Sequence, residues 1–191
     1  MIQQTKEDSK MSVLREHYVS PVVVSGDSPH PPPLPKELFD RVVQTWPRLC
    51  ADVVIIDREN RLLFLTPRKA DPAGDWFIGG SIVARETEIQ AAIRKLKAET
   101  GLDIAPACLS WIWLKRYMFK HWDSCCYLFA LELTPDERTA ICLDEAEYHA
   151  HDGLRPFTRD DLQRKCEQTV GQESPYPILL MAYDAVFGVG E

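Results

Sequence analysis

The segment GGSIVARETEIQAAIRKLKAETGL, residues 79–102, constrains the fold more than any other stretch of the chain. It joins a glycine pair to the strongest helix signal in the sequence. Ile89, Ala92, Ile93 and Leu96 form one apolar stripe, so this helix must lie against a core. Thr87 with Gln90 fits a capping box at its start, and Gly101 is placed to stop it. The glycine pair lets backbone approach a ligand closely, offering a carbonyl to a cation or an amide to a phosphate. Positions 95, 98 and 99 are three and four apart and share one helix face, which carries Lys95, Ala98 and Glu99. Taken alone, that face supports only a solvated Lys95–Glu99 ion pair, worth about 0.3–0.5 kcal/mol.

Around this helix the chain reads as one domain with a tail. Residues 1–36 contain SGDSPHPPPLP, a proline-rich extended linker, preceded by YVSPVVVSG, whose β-branched run could add an edge strand. From residue 37 to 191 the pattern is globular. Leu38, Val42 and Val43 stand at helical spacing before Pro47. ADVVIID and RLLFLTP read as strands joined by the turn DREN, and WFIGGSIV as a short strand around the glycines. CLSWIWLKRYMF and SCCYLFALEL read as an antiparallel pair, with a short strand near residues 153–157. TRDDLQRKC and PYPILLMAYDAVFG close the chain as helices. Strands mixed with helices, without strict alternation, predict an α/β/α sandwich around a small mixed sheet.

Bulk properties narrow the function classes. A formal net charge of -7 argues against tracking a nucleic-acid backbone, which needs basic patches, but not against a small anionic ligand. The six cysteines show no Cys-x-x-Cys spacing, so a structural zinc site is not expected, and adjacent Cys125 and Cys126 suit buried thiols better than a bridge. The N-terminal residues lack the apolar core of a signal peptide, and no apolar run is long enough to span a membrane. The expectation is a cytoplasmic, reduced protein acting on a small molecule.

The spacing of Gly80, Glu86, Arg94, Leu96, Glu99, Gly101 and Leu102 resembles the signature of the Nudix hydrolases. That resemblance implies the fold and a metal–pyrophosphate chemistry. Lys95 and Ala98 depart from it, since the family usually has glutamates there. In the usual member three glutamates hold one or more divalent cations against a pyrophosphate. Here the same face has a formal charge of about zero and could give one carboxylate to one cation. Lys95 could instead meet phosphate directly.

The pattern of losses is similar to that of the GDP-mannose mannosyl hydrolase branch, which keeps the arginine and the last glutamate. That branch is described as cleaving the sugar–phosphate bond by attack at sugar C1 with one magnesium ion. The likeness extends over the leading helix and the first hairpin, and the branch forms dimers, which implies a homodimer here. It implies that Asp52 and Arg68 assist the leaving diphosphate, that Gly79 and Glu99 hold one magnesium or manganese ion, and that Tyr127 sits near the leaving group. Ile78 stands where a proline is usual. In DEAEYHAHDGLRPF, His149 and His151 are two apart and share a face on an extended chain. His151 aligns with the branch's histidine base, a role that suits a neutral imidazole. Ala150 then occupies the place of a glutamine ligand, leaving Glu147 or His149 as the extra metal ligand; a shift by one would put His151 on the metal instead.

Overall fold

The computed structural model describes residues 35–69, 73–120 and 123–188. The expected tail strand and proline-rich linker, up to residue 34, lie outside the described residues.

Helix α1 (Lys36–Thr45) leads into β1 (Arg48–Asp57), the strand on which the architecture is organised. Its last eight residues are all buried, as an apolar run flanked by neighbours on both edges and both faces requires. On one edge β1 runs parallel to β6 (Asp123–Glu132), and β6 pairs antiparallel with β5 (Leu109–Met118). The other edge of β1 is shared. Its C-terminal half pairs with β2 (Leu62–Arg68), and its N-terminal half with β4 (Ile78–Ser81), both antiparallel. Strand β2 also pairs with β3 (Gly74–Trp76) and β7 (Arg155–Phe157), completing a seven-stranded mixed sheet.

Sharing the edge of β1 corrects one sequence expectation. Residues 76–83 do not form a single strand, because the chain changes partner at Phe77: Trp76 pairs with Thr66 on β2, and Ile78 with Val53 on β1. A short helix, α3 (Pro135–Thr139), was also not foreseen, although Thr134 and Glu137 form its capping box.

Helices cover both faces. Ala51, Val53 and Ile55 pack with Ala91, Ala92 and Leu96 of α2 (Glu88–Thr100) on one face. On the other, Cys50, Val54 and Ile56 share a core with residues of α4 (Arg159–Gln168) and α5 (Tyr176–Phe187). This is the expected α/β/α sandwich. The capping box on α2 is present, and Gly101 ends the helix in the left-handed region at φ 76°. No described helix is long and apolar enough to cross a membrane.

Candidate active site

The ends of β1, β2 and β4 converge with the C-terminal half of α2. On β1, Asp52 stands opposite Gly79 of β4. The approach is so close that a Cβ on Gly79 would fall 2.4 Å from the Asp52 carboxylate and from the Ala51 carbonyl. Gly79 also has a φ of 155°, so only glycine suits the position. Gly80 lies under the Lys95 side chain: a Cβ there would come 3.0 Å from Cε of Lys95.

Asp52 is buried and accepts a hydrogen bond from the Cys126 thiol at 3.1 Å. Burial pushes its carboxyl up to about 6, against the pull of that thiol and of the nearby Arg68 guanidinium; the charge of Glu99 raises it further. Arg68 ends β2. Its Nε is buried and has no hydrogen-bond partner among the described residues.

A loop then closes over the end of α2. The Asp144 amide donates to the Glu99 carbonyl at 2.9 Å and the Cys142 amide to the Thr100 carbonyl at 3.1 Å, satisfying carbonyls that the helix terminus leaves open. The same loop runs antiparallel to the end of β2: Lys69 donates to the Glu147 carbonyl at 2.9 Å, and His149 to Pro67 at 2.8 Å. Between these bonds Arg68 faces Tyr148 as a bridge partner. Tyr148, 1% exposed, is thereby carried inward, and its hydroxyl donates to Oε2 of Glu99. The other oxygen, Oε1, is ion-paired with the Lys95 ammonium. Glu99 is 3% exposed, so this is a buried carboxylate with both oxygens engaged, not a solvated surface pair.

Comparison with known proteins identifies the scaffold. The profile of the NUDIX domain matches residues 46–176, more than half of the chain. The chain belongs to the NUDIX domain family. No curated protein matches it. Among solved structures, a C. elegans Ap4A hydrolase binary complex is 18% identical, with 73% of this chain and 94% of that one covered at a TM-score of 0.51. A MutT NUDIX hydrolase from Burkholderia pseudomallei is 18% identical, with 61% and 86% covered and a TM-score of 0.50. A UDP-X diphosphatase is 13% identical, with 82% and 73% covered and a TM-score of 0.52. These likenesses concern the fold.

Within the NUDIX frame, the residues singled out in the sequence divide into groups. Asp52, Arg68, Gly79, Lys95 and Glu99 are brought close together. Tyr127 is placed elsewhere: it is the register partner of Ala51 and packs in the cluster on the α2 face, whereas Cys126, beside it, turns to Asp52. Burial raises the Tyr127 hydroxyl, with a contribution from Glu88 at the far end of α2. His151 is exposed on the short turn Ala150–Asp152 at the rim, its Nε2 2.9 Å from Asp152, and its ring lies 6.3 Å from that of His149. Glu147 is half-buried and meets the cleft through its backbone bond to Lys69. Tyr148 was missed. The signal available was its place as the one large apolar residue between Glu147 and His149, alternating inward where they face out.

NUDIX hydrolases generally use a divalent metal such as magnesium, so the donor set has to be tested against one. Glu99 is the carboxylate beside Lys95 and Ala98 in the last turns of the helix, and its two oxygens are taken by Lys95 and Tyr148. Among the described residues no three His, Cys, Asp or Glu side chains gather where they could hold a metal ion. A cation on Glu99 would also sit beside the Lys95 ammonium, a like charge at close range. As arranged, these residues do not fit a resident metal ion.

Proposed function

We propose that this chain hydrolyses a nucleoside diphosphate sugar or a related nucleoside diphosphate compound. The observation that carries the reading is the pair of cations at the cleft, the Lys95 ammonium and an Arg68 guanidinium whose buried Nε has no acceptor. An unpartnered buried donor is costly unless a ligand satisfies it, and a diphosphate supplies acceptors in the geometry a guanidinium prefers. The names of two fold relatives, an Ap4A hydrolase and a UDP-X diphosphatase, agree with a nucleotide class.

The finer assignment rests on the similarity of positions 52, 68, 95, 98, 99 and 151 to the mannosyl hydrolase branch, which favours a GDP-mannose-like substrate and attack at the sugar carbon. In that reaction His151 takes a proton from water, the water oxygen bonds to sugar C1, and the C1–oxygen bond to phosphate breaks. The nucleoside diphosphate departs against Arg68, with Asp52 alongside. What supports His151 in this role is its exposed ring in the loop whose backbone at Glu147 and His149 bonds to the end of β2. Gly79 and Glu99 contribute here by shaping the cleft and holding Lys95.

The engagement of both Glu99 oxygens favours a second reading, a NUDIX fold that binds a nucleotide ligand without turning it over. Incubation with GDP-mannose and other nucleoside diphosphate sugars in isotopically labelled water separates the two, with magnesium and EDTA arms run side by side. Free sugar carrying the label is the expected product. Label on phosphate would move the attack to phosphorus, and binding without products would leave the second reading standing. Neither binding nor turnover of any nucleoside diphosphate compound would overturn both.

A further inference from the structure

We propose that the Lys95 ammonium takes the place of the divalent cation in this NUDIX fold, so that the protein binds the diphosphate of its ligand without a metal ion. The inference rests on the reading of the cleft as a nucleoside diphosphate site and specifies how that site handles charge.

Three observations meet at Lys95. Its ammonium is paired with Oε1 of Glu99, a carboxylate that is buried and whose second oxygen belongs to Tyr148. The carboxylate one turn from Lys95 is therefore committed to positioning that lysine, and the tyrosine holds its other oxygen. The lysine side chain runs over Gly80, where a methyl group would lie 3.0 Å from Cε, so the glycine leaves room for it. The Lys95 side chain nevertheless keeps 21% of its exposure, so it is not sealed in the core. A half-buried lysine anchored on a carboxylate whose second oxygen is held by Tyr148, with the Arg68 guanidinium as a further cation, is an arrangement suited to an anion.

The surroundings agree in sign. Arg68 supplies a second cation from the end of β2, with its buried Nε unsatisfied. Ala98 contributes no charge to the face that Lys95 and Glu99 share. A diphosphate entering the cleft would meet two cations and no solvated carboxylate of α2, whereas a hydrated divalent ion would meet the Lys95 charge first. Tyr148, carried inward by the loop bonds to β2 and α2, occupies the Glu99 oxygen that a cation would need.

The test uses the full chain stripped with EDTA and titrated calorimetrically with inorganic pyrophosphate and with GDP, then repeated with excess magnesium. In wild type, binding in EDTA is expected to change by less than about threefold on adding magnesium, and Lys95→Gln to weaken it by at least about tenfold. Lys95→Arg should retain most of the affinity. A second readout is independent of the nucleotide: electron paramagnetic resonance titration with Mn2+ should detect no tight ion in wild type and a new one in Lys95→Glu, where two carboxylates lie one helical turn apart. Binding by wild type only when magnesium is present, or tight Mn2+ binding by wild type, would overturn the metal-free site while leaving the nucleotide reading intact. Unchanged binding by Lys95→Gln would do the same. Failure of wild type to bind either probe under both conditions would remove the nucleotide reading and this inference together.

Discussion

Two carboxylates flank helix α2, each with a cation from that helix, and the two ends have different work. Before the first turn, Glu86 receives Arg94 through both oxygens, Nε at 2.6 Å and Nη2 at 2.9 Å. It also accepts the Val83 amide at 3.1 Å, and Arg94 reaches the Ser81 carbonyl at 3.1 Å. These contacts tie the loop after β4 to the helix. At the other end, Glu99 is held from one side by Tyr148 and grips Lys95, whose side chain is half-buried. The first arrangement spans two elements and braces a loop. The second sets a half-buried lysine on a buried carboxylate beside Asp52 and Arg68, and that is the difference between a brace and a site.

The comparison can be broken most directly at Glu99. Glu99→Gln, nearly the same shape, should lower kcat/KM for a nucleoside diphosphate sugar by about 100- to 1000-fold, because Lys95 loses its anchor. Arg94→Ala, at the bracing end, should act on stability instead. A loss of about 1–3 kcal/mol is expected in urea titration, with kcat/KM of the folded fraction changed much less. If the two variants shift activity equally, the division between brace and site is wrong.

Tyr148→Phe sharpens the same contrast by leaving Oε2 of Glu99 buried without its donor. A destabilisation of about 1–2 kcal/mol is expected. Rebinding of Lys95 across both oxygens would show instead as no change in the urea midpoint.

The pH dependence offers a smaller effect. The Asp52 carboxyl is pushed from 3.8 up to about 6 by burial, so the folded protein retains a proton that the unfolded chain releases. Its stabilising contribution is complete below about pH 4 and is lost as pH rises through about 6. Asp52→Asn should flatten that decline when urea midpoints are compared across the window, and an unchanged slope would locate the titration elsewhere. Smallest of all, Ala98→Glu should change stability by no more than about 0.5 kcal/mol, since the position lies on the surface of the helix. Any larger loss would mean that the added carboxylate competes with Glu99 for Lys95.

Much of the frame was legible because it is local. The helix at 88–100, its capping box and its glycine stop follow from residues a few positions apart, and so does the buried run of β1. The partner change at Phe77 was not legible, since it depends on which strand meets each half of the β1 edge. The site divides in the same way. Helical spacing alone puts Lys95 beside Glu99. Burial of that pair, and with it the change from a weak surface contact to an anchored charge, needs Tyr148, 49 residues further on. Tyr127 shows the converse, a residue whose expected neighbourhood could not be checked until strand alternation turned it toward the α2 face and Cys126 toward Asp52.

The sequence by itself thus determined the family, the helix and the absence of two acidic side chains from its face, because periodicity and spacing are properties of neighbours along the chain. The tertiary structure alone decided what those absences mean. Only folding brings the loop at 144–149 against the ends of β2 and α2, and a carboxylate's role depends on which donors have replaced water around it.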